Sequence, residues 1–399
     1  MSDWQDLNIG SICIKIIDYR GKTPEKVLSG TKLITSKVIK NSRILDNANF
    51  EYIRDDKYEE VMRRGKPEFQ DILLTTEAPL GEVALIKSDE KIAIAQRIIL
   101  LRADQDKVIP DFLFYSLRGP IGYNRVQQKG TGTTVLGIKN PELKKVILPI
   151  PPLPTQQKIA KILSNHDDLI ENNLKRIKLL EESARLTYEE WFLRFRIDGK
   201  KLEIDPESSL PFGWELVELG DFLKFKKGKK ADEIFEEKKD NLIKLLLLSG
   251  LGSGEYAYVE KARHVIARRG DVLMTMDGAR SSVVFYSEDG AVGSTMSLVE
   301  TGKLPKSYLY HFFKSTYEWL EINNTGAAIP HANKSFINKM KIIHPGDEIL
   351  TKWSKKMYHI NDQVFNLKDQ NQLLKEARDI LLPRLMTGMI DTDELDIAV

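Results

Sequence analysis

The chain repeats itself, and this duplication limits its possible folds more than any other feature of the sequence. The stretch "GTGTTVLGIKNPELKKVILPIP" from Gly130 aligns without gaps with "NTGAAIPHANKSFINKMKIIHP" from Asn324, at a constant offset of 194 residues. The opening "WQDLNIG" from Trp4 returns as "WELVELG" from Trp214. Self-similarity over such a long period indicates that one structural unit is built twice. The sequence therefore predicts two copies of the same unit.

Each copy has the pattern of a mixed α/β domain. "DILLTTEAPLGEVALI" from Asp71 matches "DVLMTMDGARSSVVFY" from Asp271, and both read as two apolar strands joined by a turn of small residues. "IPDFLFYSL" from Ile109 matches "LPKSYLYHFF" from Leu304, and both read as an amphipathic helix started by proline. We therefore predict the α+β class, with two repeated mixed α/β domains.

A helical segment with a seven-residue rhythm follows each domain. Such a rhythm predicts a seam of apolar side chains that packs against another helix. The predicted seam residues are Leu163, Ile170, Ile177, Ala184 and Trp191 in the first segment and Ile360, Leu367, Leu374 and Leu381 in the second. Asn173 and Asn371 fall within the seams, where a polar side chain fixes register at a cost in stability. We expect two long helices packed as an antiparallel coiled coil, with a pseudo-twofold relation between the domains.

The proline-rich stretch "LPIPPLPTQQKIAKIL", Leu148 to Leu163, marks the junction between the first domain and its helix. Prolines prevent the helix from extending backward into the last strand, and Thr155 is the predicted N-cap, with the helix beginning at Gln156. The predicted domains are 1–152 and 213–345, with helical spacers at 153–197 and 346–399 and a linker at 198–212.

Several functional classes are excluded by what the sequence lacks. A single cysteine, Cys13, forms no internal disulfide, and no histidine or cysteine spacing suits a metal, so we expect no metal site. "GKT" at Gly21 and "SGLGSGE" at Ser249 are incomplete nucleotide-binding patterns. No apolar run is long enough to span a bilayer and no export pattern is seen, so we expect a cytoplasmic protein. Because these cofactor patterns are incomplete and catalytic motifs are missing, we expect no active site in the chain itself.

Loops that occur at matching places in both copies are the candidate DNA-binding elements. "DYRGKTP" from Asp18 and "FKKGKK" from Phe225 each place cations beside a glycine, which suits phosphate. "KGTGTT" from Lys129 and "NNTGAAIPHAN" from Asn323 offer hydroxyl and amide groups. Solvated turns remain the alternative for each loop. The candidate residues are Arg20, Lys22, Thr23, Ser36, Lys37, Lys129, Thr131, Thr133 and Thr134 in the first copy and Lys226, Lys227, Lys229, Lys230, Arg280, Ser281, Asn324, His331 and Asn333 in the second.

In combination, these features resemble the DNA specificity subunits of Type I restriction-modification systems. The residues that carry the resemblance are the W-x-x-x-x-[IL]-G openings, "GDVLMTMDGA" from Gly270 with its partner "DILLTTEAPLG", and "ILPIPPLPTQQKIAKIL" leading into a long helix. The resemblance implies a non-enzymatic subunit whose two target-recognition domains each read half of a split site in double-stranded DNA.

The resemblance also implies partners and cofactors. The two helices would serve as a spacer that docks two methyltransferase subunits, which bind S-adenosylmethionine and methylate adenine. Added restriction/translocase subunits would cleave DNA with ATP and Mg²⁺, so no cofactor is expected in this chain. The second copy departs from the pattern, because "HPGDEILTKW" lacks the double proline and the Gln-Gln pair. This leaves open whether the two docking faces are equivalent.

Two other functions compete with this interpretation. A net charge of only +2, from 60 Lys and Arg against 58 Asp and Glu, permits a coiled-coil scaffold that binds protein and does not read DNA. An autonomous nuclease or methyltransferase is disfavoured by the missing cofactor motifs. Asp111, which could suggest a metal-dependent nuclease, is better explained as a residue of a helix's first turn.

Overall fold

The computed structural model describes residues 3–19, 24–45 and 50–392. The chain forms two compact units, one built from Met1–Glu171 with Leu373–Val399 and the other from Asn172–Gln372. Each unit is a mixed α/β domain packed against parts of two long helices, which confirms the predicted α+β class. Among the described residues, no helix combines the length and apolar character needed to cross a lipid bilayer.

The first unit contains the domain of the first copy. Its strands are β1 (Gln5–Asn8), β2 (Cys13–Asp18), β3 (Thr31–Ile34), β4 (Ile39–Lys40), β5 (Arg43–Ile44), β6 (Glu51–Ile53), β7 (Ile72–Thr76), β8 (Leu80–Leu85), β9 (Ile92–Ile94), β10 (Ile98–Ala103) and β11 (Ile147–Ile150). Its helices are α1 (Ile9–Ile12), α2 (Tyr58–Val61), α3 (Pro110–Arg118), α4 (Pro120–Gln128), α5 (Asn140–Lys144) and the beginning of α6 (Leu153–Tyr188). The sheets have the orders β2-β10-β7-β8, β6-β3-β9, β1-β11 and β4-β5.

The four-stranded sheet of the first unit is buried on both faces, which explains the near-continuous apolar runs of its central strands. Along β7, Ile72 and Leu74 belong to the cluster that includes α3 and the long helices, whereas Leu73 belongs to a separate cluster with the smaller sheet. The unit is therefore layered, with helices on one side of the central sheet and a second sheet on the other.

The second unit follows the same plan. Its strands are β12 (Arg196–Ile197), β13 (Lys200–Lys201), β14 (Glu215–Glu218), β15 (Lys224–Lys227), β16 (Leu242–Leu246), β17 (Ala257–Glu260), β18 (Ile266–Ala267), β19 (Val272–Thr275), β20 (Val284–Tyr286), β21 (Gly290–Val292), β22 (Met296–Glu300) and β23 (Lys341–His344). Its helices are α7 (Leu248–Ser253), α8 (Lys306–Ser315), α9 (Tyr317–Ile322), α10 (Lys334–Lys339) and most of α11 (Asp347–Met386). The order β15-β22-β19-β20 repeats that of β2-β10-β7-β8, and β16 pairs with β21 in parallel as β3 pairs with β9.

The long helices complete the hydrophobic core of each unit. In the first unit, Leu163 of α6 and Leu385 of α11 join the core; in the second, Trp191 just after α6 and Trp353 of α11 do so. The globular cores therefore extend across the predicted domain boundary at residue 152, because apolar side chains of the strands and of α3 or α8 pack with those of the long helices.

Burial along the seams differs between the two long helices. All five predicted seam residues of the first segment are buried. In α11, Leu367 is buried, whereas Ile360, Leu374 and Leu381 are only half-buried. The deeper positions of α11 are instead Met357, Val364, Asn371 and Leu385, which share the other seam position of the same heptads. The sequence rhythm alone did not distinguish which of these two positions lies more deeply in the contact.

The start of α6 differs from the prediction, because Thr155 is not the N-cap. The helix begins at Leu153, and the backbone N–H of Gln156 donates to the carbonyl oxygen of Pro152 at 3.0 Å. The Gln156 side chain is fully buried: its Oε1 accepts from the N–H of Ile109 at 2.9 Å, and its Nε2 donates to the carbonyl oxygens of Lys107 and Pro151 at 2.9 and 2.8 Å. Gln156 therefore joins the helix start to the segment before α3.

The segment predicted as a linker is folded in its own right. β12 and β13 form a hairpin whose turn residues, Asp198 and Gly199, both have positive φ angles of 51° and 79°. Leu210, near the end of the segment, is buried in the core of the second unit. The polar composition of residues 198–212 therefore reflects tight turns at the surface of that unit.

Candidate nucleic-acid interface

Three loops of the second unit meet at one end of its central sheet. They follow β15 (residues 228–230), join β19 to β20 (276–283) and join α9 to α10 (323–333). The N–H of Gly278 donates to the carbonyl oxygen of Pro330 at 2.9 Å, and the N–H of Ala332 donates to that of Met276 at 2.8 Å. Backbone bonds therefore fix the second and third loops to each other.

An acidic residue that the sequence reading did not select, Asp277, lies at the centre of this cluster. Its Oδ1 is 2.8 Å from Nδ1 of His331, and its Oδ2 accepts a hydrogen bond from Nζ of Lys227 at 3.2 Å. Partial burial raises the pKa of Asp277, but the contacts with His331 and Lys227 outweigh it and bring the pKa below its usual value. The carboxylate is therefore charged near neutral pH and holds two candidate DNA-binding side chains together.

The remaining polar candidates of these two loops divide into exposed and structural residues. Asn324 accepts a hydrogen bond from Oγ of Ser282 through its Oδ1, at 2.7 Å, and Arg280 is exposed. Ser281 is buried, and its Oγ lies 2.7 Å from the carbonyl oxygens of both Gly278 and Pro330, which share its single hydroxyl proton. The prediction that Ser281 contacts DNA is therefore corrected, because its hydroxyl holds the two loops together.

Asn333 also has a structural role. It is the N-cap of α10, and its Oδ1 accepts from the N–H of Phe336 at 3.0 Å. A capping side chain of this kind satisfies one of the free N–H groups of the helix's first turn. This capping bond alone is sufficient reason for an asparagine at this position, and its assignment to DNA stays a prediction.

The loop after β15 carries the exposed lysines of the "FKKGKK" motif. Lys226 pairs with Glu300 across the sheet at 2.6 Å, while Lys229 and Lys230 are exposed. Gly228 has a packing role, because a Cβ there would lie 2.2 Å from the carbonyl oxygen of Gly293. The glycine thus lets this loop pack closely against the end of β21, a role that differs from the predicted approach to phosphate.

The first unit has a matching loop. Thr131 and Gly137 exchange two backbone hydrogen bonds of 2.7 and 3.0 Å, just as Thr325 and His331 do in the second unit at 2.8 and 2.7 Å. The loop holds Lys129, Thr131, Thr133 and Thr134, all of them exposed. Its candidate side chains are therefore open to a ligand.

The acidic residue recurs beside this loop. Glu77, which aligns with Asp277, forms a β-bridge with Gly137, and its Oε1 lies 2.7 Å from Nε of Arg97. Glycine occupies the position of His331, so in the first unit an arginine from another turn takes the place of the histidine and lysine. The loop framework is common to both units, while the side chains on it differ.

The other candidates of the first unit have different positions. Ser36 is buried, so its predicted DNA contact is corrected, whereas its neighbour Lys37 is exposed on the short turn after β3. Arg20, Lys22 and Thr23 lie outside the described residues. Their assignment to DNA remains a prediction.

Comparison with known proteins decides the family. The profile of the Type I restriction modification DNA specificity domain matches residues 1–182 and 211–377, which together make up most of the chain. The chain belongs to this family. It is a specificity subunit of a Type I restriction-modification system, a non-catalytic component.

Individual specificity subunits are similar over most of their length. The MjaIX specificity subunit of a Type I restriction enzyme from Methanocaldococcus jannaschii is 28% identical over 81% of this chain and 78% of its own length. The MjaVIII subunit of the same organism is 22% identical over 99% and 94%. The crystal structure of the S subunit from M. genitalium superposes with a TM-score of 0.57 at 18% identity, covering 96% of each chain, and so shares the fold.

The sequence contained a signal for the acidic residues that were missed. Glu77 and Asp277 occupy the same position of the aligned "DILLTTEAPLG" and "DVLMTMDGARS" stretches, at the end of a buried strand. Cations, hydroxyls and amides are the groups expected to contact DNA, and a carboxylate that positions them has no such pattern of its own. An acid that recurs at the same place in both copies of this specificity subunit was the available indication.

Proposed function

We propose that this specificity subunit reads a split DNA target, with the loop cluster of each unit reading one half. The observation that supports the proposal is a loop framework present in both units. In each unit the loop is closed by a pair of backbone hydrogen bonds and lies beside a carboxylate, but the side chains on the loop differ. An equal framework with unequal side chains is what two different half-sites require.

The chemistry of the second cluster suits both groove edges and phosphates. Lys229, Lys230 and Arg280 are exposed cations, which suit phosphate oxygens or guanine. Asp277 holds Nδ1 of His331, so the opposite ring nitrogen, Nε2, is available to a base edge. In the first cluster the exposed threonine hydroxyls can donate to or accept from bases. The two clusters thus offer different hydrogen-bonding patterns to DNA.

We also propose that each unit docks one copy of the same methyltransferase subunit, which would carry S-adenosylmethionine, with ATP and Mg²⁺ belonging to the restriction/translocase subunits. Exposed apolar residues recur on the long helices at the repeat offset of 194. Leu179 and Leu373 are 69% and 65% exposed, and Leu186 and Ile380 are 42% and 54% exposed. Two such residues seven positions apart line one helix face, which suits a partner helix.

The reading proposal is tested by combining the chain with its methyltransferase and S-adenosylmethionine and mapping methylated adenines across a genome. The expected result is a motif of two specified halves separated by unspecified bases. His331→Ala should relax only the half read by the second unit, and Thr133→Ala only the other half. Lys303→Ala is the control, because Lys303 is exposed beyond the opposite end of β22.

The outcome that contradicts this reading is equally concrete. A methylation pattern with a single uninterrupted motif, or one in which both variants change the same half, is incompatible with one half per unit. Methylation without any sequence preference would instead favour the scaffold alternative.

The docking proposal is tested by native mass spectrometry of the purified complex. Leu179→Lys and Leu373→Lys should each remove one of two bound methyltransferase copies, and the double variant both. Leu169→Lys is the matched control, because Leu169 is also an exposed leucine of α6 but aligns with Gln363 in the second copy. Unchanged stoichiometry in the double variant would exclude this face.

A further inference from the structure

The contact between the long helices in the second unit contains a buried polar pair. Nδ2 of Asn173 in α6 donates to Oδ1 of Asn371 in α11 at 3.0 Å, with Oε1 of Gln370 at 3.5 Å from the same nitrogen. Asn173 and Asn371 are only 5% and 6% exposed. We name this pair the polar layer. One hydrogen bond thus joins the two amides in a place that water does not readily reach.

An apolar contact lies next to it along the same helices. Ile177 of α6 packs with Val364 and Leu367 of α11, and all three are buried. We name Ile177 and Leu367 the apolar layer. The helices run antiparallel here, because position 173 faces 371 and position 177 faces 367.

The internal repeat relates the two layers to each other. At the offset of 194 residues, Leu367 is the counterpart of Asn173, and Asn371 is the counterpart of Ile177. In both layers, therefore, a residue at the repeat position of Asn173 and Leu367 faces a residue at the repeat position of Ile177 and Asn371. One layer fills them with two asparagines and the other with two aliphatic residues.

We propose that these two layers form a pairing code that fits α6 to α11 and rejects a second copy of either helix. If α6 packed in the same way on another α6, Asn173 of one helix would face Ile177 of the other, and both layers would be mismatched. A pair of α11 helices would likewise place Leu367 against Asn371 twice. Only the mixed pair sets amide against amide and aliphatic against aliphatic.

The physical basis is the cost of leaving a buried amide without a partner. An asparagine facing isoleucine keeps neither its water nor a hydrogen bond, whereas two facing asparagines satisfy each other. Duplicated helices are at risk of such mispairing, because neighbouring seam positions such as Ile170 and its counterpart Val364 are apolar in both. A single polar residue at a seam position is a known way to specify partners at some cost in stability.

The intact chain can test the code with composition-neutral variants. Leu367→Asn with Asn371→Ile gives α11 the two layer residues of α6, so the seam then imitates a pair of first helices. Asn173→Leu with Ile177→Asn imitates a pair of second helices. Both variants retain two asparagines and two aliphatic residues. Each should lower the folding equilibrium constant by about tenfold or more, because two buried amides lose their partners.

Combining all four substitutions restores matched layers in exchanged order, so this variant should recover most of the lost stability. Tryptophan fluorescence during urea unfolding reports mainly on the second unit, which contains Trp191, Trp214, Trp319 and Trp353. Asn172→Leu, at an exposed position of α6 within the second unit, is the control for adding a leucine to the helix.

We call the variants with two substitutions in one helix the single-helix exchanges, and the variant with all four substitutions the two-helix exchange. Two results with these variants would overturn the proposal. One is that the two-helix exchange is no more stable than either single-helix exchange, including the case in which none of the three folds. The other is that both single-helix exchanges unfold at the wild-type midpoint. As a further check, Asn173→Leu with Asn371→Ile makes both layers aliphatic and should unfold at or above the wild-type midpoint; a midpoint below the single-helix exchanges would also overturn it.

Discussion

Replacing Gln156 by leucine tests how the first domain is joined to its long helix. The substitution removes the partners of three backbone groups, namely the N–H of Ile109 and the carbonyl oxygens of Lys107 and Pro151. The bond to Pro151 is fully buried and the other two are partly buried. Unsatisfied buried groups cost about 1–3 kcal/mol each, so with solvent at two of them the loss is about 4 kcal/mol. Burial of the leucine offsets about 1.5 kcal/mol, which leaves about 2.5 kcal/mol.

Hydrogen exchange measured by mass spectrometry can follow this change in one unit at a time. The slowest amides of β10 and α3, which exchange by unfolding of the first unit, should exchange about 60-fold faster in Gln156→Leu. Those of β19 and β22 in the second unit provide the internal reference. Gln157→Leu is the matched control, because the adjacent Gln157 is exposed and its replacement should change the free energy of unfolding by less than about 0.5 kcal/mol. Equal exchange rates in the two variants would refute the reasoning.

Two further predictions concern buried titratable groups. Burial raises the pKa of Asp167, but Arg118 and Arg378 outweigh it and hold the pKa below its usual value, so the first unit should lose stability as the pH falls below about 4. Asp167→Asn should remove this acid dependence and destabilise the unit by about 3 kcal/mol in urea unfolding at neutral pH. Burial and Lys314 lower the pKa of His311 to about 4. The free energy of unfolding of the second unit should therefore be highest above about pH 6.5 and fall by about 3 kcal/mol towards pH 4. His311→Phe should abolish this fall in the same measurement.

Much of the fold followed from the sequence because the features that specify it are repeated. The buried strand β7, the proline-started α3 and the apolar seam of the first long helix all appear as patterns with a fixed period. Patterns of this kind are formed by apolar side chains, and apolar side chains are also the ones that folding buries. These three elements therefore occur in the structure at the residues where the patterns predict them.

The candidate site was less predictable because exposure and hydrogen-bond partners are set by contacts between distant segments. Ser281 looked like a free hydroxyl, but the loop containing Pro330 lies against it and uses that hydroxyl. Asp277 looked like a turn residue, but it joins β15 to the α9–α10 loop through Lys227 and His331. No local pattern reports which distant loop meets a side chain.

Where the two copies differ, a buried residue and the groups around it differ together. This bears on whether the two copies are equivalent. Leu350 is the counterpart of Gln156, and it is buried in an apolar cluster in place of three hydrogen bonds to backbone groups. Its N–H donates to the carbonyl oxygen of Gly346 at 3.1 Å, as that of Gln156 does to Pro152 at 3.0 Å, so both helices start at the same place in the repeat.

A buried charged residue and its partners also differ together between the two copies. Asp167 accepts hydrogen bonds from Arg118 and Arg378 in the first unit, whereas the repeat offset places Asn361 and Ala184 at the counterparts of Asp167 and Arg378 in the second. A polar network is thus exchanged for an apolar or neutral one as a set, since changing one member alone would leave a buried group unsatisfied. Loss of the Gln-Gln motif in the second copy therefore does not imply a different backbone, and any difference between the two proposed docking faces would lie among exposed residues such as Leu186 and Ile380.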